Sequence, residues 1–134
     1  MKTLLAIIVS LLLFSIAAFA SQASAAPGNP PKYDLATEAQ FQGVVEQVVD
    51  RVCPVSGGMG SHILLRLSGD KTIQVHLAPT KFMSAYEVVF NKGDLIEVTG
   101  SKVTFEGAET IFAREIKRGT EIFVFRDKEG NPAW

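Results

Sequence analysis

The sequence predicts a mostly β domain with one short helix. Apolar residues alternate at Ile63, Leu65 and Leu67 and again at Ile73, Val75 and Leu77, which is the period of half-buried strands. β-branched residues crowd the stretches 40–52, 95–105 and 110–117, and Gly-containing turns punctuate the chain between them.

The elements are read in chain order. Met1-Lys2 gives a positive start, Leu4 to Ala20 is apolar apart from Ser10 and Ser15, and Ala23-Ser24-Ala25 fits an A-x-A cleavage site. That order is read as a cleavable secretory signal over residues 1–25, with cleavage after Ala20 as a second choice. An uncleaved anchor is the rival reading, since the apolar run is only about as long as the shortest bilayer span. No basic stop-transfer cluster follows the run, so the expectation is a periplasmic or secreted bacterial protein with no membrane span after cleavage. Residues 26–37 read as a linker, because Pro27, Pro30 and Pro31 remove backbone donors and fix the chain.

The domain is expected over residues 38–134. Its first strand runs through Gln40 to Val52 and bends at Gly43. Pro54 to Ser61 is a loop by composition. Strand two is His62 to Ser68, Ser68 to Lys71 turn, and strand three is Thr72 to Ala78. Pairing Leu67 with Ile73, Leu65 with Val75 and Ile63 with Leu77 puts all six residues on one face. Phe82, Tyr86, Val89 and Phe90 fall at helical spacing, so an amphipathic helix is expected within Pro79 to Phe90. A fourth strand, Leu95 to Phe105, bends at Gly100, and strands follow at Thr110 to Lys117 and Glu121 to Arg126. Trp134 is expected to fold back as a lid on the core. Three strands, a helix and two strands, led by a long bent strand, is the order of a small OB-like barrel, closed or partly open, here with an extra C-terminal strand.

Charge and cysteine count narrow the function. Thirteen basic residues stand against 14 acidic ones, a net charge of −1, which gives no global field to draw nucleic acid or an anionic membrane. An oligonucleotide (DNA)-binding OB-fold protein therefore rests on fold analogy alone: strands two and three offer no aromatic platform, and Arg114, Lys117 and Arg118 are interleaved with acids. With one cysteine, Cys53, an intrachain disulfide cannot form; the plainest reading of Cys53 is a small apolar residue near a loop. Nucleophile elbows, metalloprotease helices, phosphate loops and C-x-x-C pairs are all missing from the sequence, so no catalytic residue and no enzyme activity are expected.

The candidate contact site is the face of strands two and three opposite the core. Alternation places His62, Leu64, Arg66, Gln74 and His76 there, facing solvent, with Gly58 and Met59 in the glycine-rich loop beside them. The assumed register sets His76 opposite Leu64 and diagonal to His62. The two histidines, the only ones in the chain, are an incomplete metal shell. A tight zinc or copper site would need a third ligand from Cys53, Met59 or a carboxylate. The expectation is that they are ordinary polar residues, with a metal-binding accessory protein as the alternative.

Four segments carry a resemblance. They are Gly60-Ser61-His62-Ile63-Leu64-Leu65, Val75-His76-Leu77-Ala78-Pro79, Lys92-Gly93-Asp94 through Val103, and Arg126-Asp127 through Pro132-Ala133-Trp134. Over residues 34–134 the chain resembles small exported bacterial OB-fold proteins of the MamS/MamX magnetosome type, often labelled OB-fold or DNA-binding. The resemblance implies a non-enzymatic periplasmic binding or accessory role for a small ligand or protein partner. Magnetosome MamX-type members carry C-x-x-C-H haem attachment motifs; this chain has none, so haem is not carried over and no cofactor is expected.

Overall fold

The computed structural model describes residues 29–134. The expected export signal lies outside the described residues. The strands are β1 (Glu38–Cys53), β2 (Gly58–Leu67), β3 (Thr72–Pro79), β4 (Leu95–Phe105), β5 (Ala108–Arg118) and β6 (Glu121–Val124), and one helix, α1 (Thr80–Ala85), follows β3. The strand order is β3-β2-β1-β4-β5-β6, and β3 also pairs in parallel with β5, so the sheet returns on itself as a ring.

The length of β1 makes the ring possible. Its first half pairs with β4 through Glu38–Val44, and its second half pairs with β2 through Gly43–Cys53. At Gly43 both partners meet, Leu67 on one side and Ile96 on the other. A Cβ there would collide with the carbonyl oxygen of Arg66, so the close approach needs glycine. The register of β1 slips just beyond, between Val45 and Gln47. Gly100 does the same for β4: the register against β5 shifts there, and a Cβ would strike the carbonyl oxygen of Phe112.

Two expectations of detail are corrected. The β2–β3 register is two residues from the one expected: Leu65 faces Ile73, Ile63 faces Val75, and His62 faces His76 directly. The cause is a three-residue connection, Ser68–Asp70, closed by a 2.7 Å hydrogen bond from the Leu67 N–H to the Lys71 carbonyl. A slip of two keeps every side chain on its expected face, so the inward set is unchanged. The helix is also shorter than the apolar spacing suggests. Glu87 adopts φ of 52°, and the Val88 N–H turns back to the Met83 carbonyl, which stops α1 within two turns. Phe90 is still buried, but Tyr86 and Val89 are exposed.

Two apolar clusters form on opposite faces of the strands. Inside the ring lie Val45, Ile63, Leu65, Ile73, Val75, Leu77, Ile96, Val98, Ile111, Ala113, Ile116 and Phe125, and Met83 and Phe90 belong to the same buried cluster. On the other face Cys53, Phe105 and Phe112 form a second cluster with Tyr33, Val55 and Val103 against it. The chain after β6 makes a small hairpin, with Arg126 bridged to Pro132 and the Ala133 N–H bonded to the Phe125 carbonyl. Asp127 pins its turn, accepting from the N–H groups of Glu129 and Asn131 through Oδ1. That hairpin delivers Trp134 to the side of the ring, where it packs on Phe82 and His76.

Candidate metal centre

The corrected register sets the two imidazoles edge to face across β2 and β3, with ring centroids 5.0 Å apart at 79°. Both lie on the face opposite the ring core, as the alternation requires, but that face is not open to solvent at this end. The second cluster and the C-terminal hairpin cover it. His62 is 2% exposed and His76 is fully buried. The expectation of outward, solvated histidines is therefore corrected: alternation assigns a face, and only the tertiary fold decides what covers that face.

Phe112, brought alongside His76 by the parallel β3–β5 pairing, lies tilted against it with ring centroids 5.5 Å apart. Trp134 lies 6.1 Å from it on another side. Cys53, at the end of β1, completes the enclosure. One ligand atom from each of Cys53, His62 and His76 falls within 4.8 Å of the others, and all three residues are buried. A shared ion with bonds of about 2.0–2.3 Å would draw such atoms to about 3.5–4 Å apart, a contraction within side-chain torsional freedom. Gly60 leaves the space: a Cβ there would collide with Ser56 Oγ and press on the Cys53 Cβ at 3.2 Å.

Each ring is held by one nitrogen and leaves the other free. The His62 Nδ1–H donates to the Gly60 carbonyl at 3.1 Å, and its Nε2 has no partner. His76 Nε2 and the Ser56 hydroxyl share a hydrogen bond of 3.0 Å, in which the ring tautomer decides the donor, and the His76 Nδ1 has no partner. Anchoring one nitrogen to a carbonyl or hydroxyl is how ligating imidazoles are oriented, and an unpartnered buried nitrogen is otherwise costly. Burial pushes the His76 pKa down to about 3, with His62, Arg126 and Arg51 adding repulsion. Burial, then Arg51, also lowers His62. Both rings are thus neutral near pH 7 and present lone pairs.

Two cations stand near the cluster and differ in their compensation. Arg51 pairs with Glu106 at 3.1 Å. Arg126 is 5% exposed and lies against the rings of Trp134, Tyr33 and Phe112, with centroids 5.0 to 5.7 Å from its guanidinium carbon. Its Nη1 donates to the Gly130 carbonyl. Burial lowers its pKa.

The other residues singled out in the sequence lie outside the ligand cluster. Arg66 is exposed and lies 3.7 Å from Glu46. Gln74 is half-buried two positions along β3 from His76, and its amide nitrogen has no partner. Gly58 and Met59 open β2 on the surface rather than forming a loop. None of these four offers a ligand atom to the cluster, and the residues the fold sets around the imidazoles are Cys53, Ser56, Phe112, Arg126 and Trp134. Of these, Cys53 is foreseeable as a third ligand from its chemistry; the others carry no local signal, because pairing and a terminal hairpin deliver them.

No curated protein matches the chain. Among the described residues no helix is long and apolar enough to cross a membrane. The model of the MamS/MamX magnetosome protein family matches residues 37–123, which runs from the start of β1 into β6 and takes in Cys53 and both histidines. The chain belongs to the MamS/MamX magnetosome protein family.

Proposed function

We propose that this chain is an exported, non-enzymatic accessory protein on an OB-type barrel, and that its ligand is a metal ion held by Cys53, His62 and His76. One observation carries the metal reading: a buried thiol and two buried imidazoles, each with one nitrogen lacking a partner, offer ligand atoms within 4.8 Å of one another. Evolution rarely leaves such atoms unsatisfied, and a metal ion satisfies all three donors at once. The OB-type reading is supported by the shared first strand, the β3–β5 closure and the helix between β3 and β4. Export is supported by the signal-like residues 1–25, and an accessory role by the family's magnetosome association. A binding face of outward histidines is replaced by this internal site.

Metal binding should release the thiol proton and stabilise the fold. Titration of the purified chain with zinc and with cuprous ions is expected to give heat, proton release and a higher Tm at one ion per chain. Cys53→Ala and His76→Gln should each abolish the response while keeping the far-UV spectrum. Calorimetry showing no heat with either ion would sink the reading.

A further inference from the structure

Resting on the metal reading above, we infer that the site selects a monovalent, thiophilic ion, cuprous copper, over divalent zinc. The donor set comes first. One sulfur and two imidazole nitrogens make three ligands of the soft and borderline kind, and no carboxylate belongs to the cluster. Structural zinc takes four ligands, and catalytic zinc takes three plus water. Here Cys53 and His76 are fully buried, His62 nearly so, and the flanking surfaces are Phe105, Phe112 and Trp134. The nearest hydroxyl, Ser56, already holds His76. The cluster offers three side-chain donors, and no Asp or Glu supplies a fourth among the described residues.

Charge points the same way. A thiolate with a monovalent ion sums to zero, whereas with a divalent ion it leaves one positive charge in an apolar pocket. Burying that charge is costly. The charged groups facing the pocket make it worse: Arg51 is offset by Glu106, but Arg126 has no carboxylate partner among the described residues. Arg126 therefore acts as a positioning residue for ion choice, through its field rather than by touching the ion.

The full chain, reduced and kept anaerobic, is titrated in parallel with cuprous ion, with silver(I) as a redox-inert monovalent analogue, and with zinc. Trp134, the only tryptophan and 6.1 Å from His76, reports filling by its fluorescence. The expected result is 1:1 binding of both monovalent ions, at least about 100-fold tighter than zinc. X-ray absorption of the cuprous form should show one sulfur and two nitrogens. Arg126→Gln is expected to narrow the copper-to-zinc ratio by about tenfold or more; the electrostatic cause scales that way, each 1.4 kcal/mol being tenfold. A role for Arg126 in folding alone would lower Tm and leave the ratio unmoved. Cys53-dependent zinc binding as tight as copper, or a fourth light-atom ligand on copper, overturns the inference while sparing the metal reading. Failure of every ion to bind in a Cys53-dependent way removes both.

Discussion

Glu38 shows how one side chain couples the chain before β1 to the ring. Its carboxylate accepts two hydrogen bonds from Arg114, each 3.0 Å, and a third from the Tyr33 hydroxyl at 2.6 Å. The Arg114 bonds, then the Tyr33 bond, hold the Glu38 pKa below the usual carboxylate value, and burial beside Glu38 raises that of Tyr33. A depressed carboxylate contributes stability that is complete above the unfolded value, about 4.3, and lost as pH falls through the folded value. Glu38→Gln should therefore cost about 1–2 kcal/mol at pH 7 and progressively less below pH 4, seen as Tm curves that converge in acid. Tyr33 was legible only as part of a linker, and Glu38 only as the first residue of the domain. Their partner Arg114 lies far along the chain, and nothing local announces a partner delivered by the fold. The histidines teach the same thing in reverse: the spacing of His62 and His76 assigned their common face correctly, while the cover of Phe112 and Trp134 was invisible to any local pattern.

Elements were more legible than their ends. Strand identity followed from period-two alternation, and Gly43 and Gly100 marked the places where strands change partner or register. The β2–β3 register escaped because residues Ser68–Lys71 are compatible with turns of several lengths, each moving the pairing by whole residues. The helix end escaped because its stop is a non-glycine residue, Glu87, in the left-handed region. The terminal hairpin is an element whose stability rests largely on one side chain. Asp127→Ala removes the acceptor for two turn N–H groups and for the Asn131 amide. It should cost about 1 kcal/mol of stability, the scale of a lost cap. More tellingly, it should shift Trp134 emission to the red and speed metal entry, without changing the one-ion stoichiometry. Unaltered emission would mean that Phe82 and His76 hold the tryptophan without help from the turn.

At the scale of the molecule, one strand stands outside the closed ring. β6 is paired only with β5, through Glu115–Arg118, and it carries exposed Ile122 and Val124. Arg118 braces this edge, bonding Glu121, Asp94 and the Val89 carbonyl and lying over Phe90 and Phe123. Amide hydrogen exchange is expected to be slow in β1 to β5, each paired with two or more strands, and fastest in β6. Protection of β6 equal to that of β1 would show that the edge unfolds only with the whole ring. The pairing of β3 with β5 has a kinetic consequence. Hairpins between neighbouring strands close short loops, but this seam joins segments separated by a helix and an entire strand, so its entropic cost falls due before its contacts form. Folding should accordingly be unhurried, in the millisecond-to-second range typical of such topologies. Until the seam shuts, two bare backbone rims stand open to other chains.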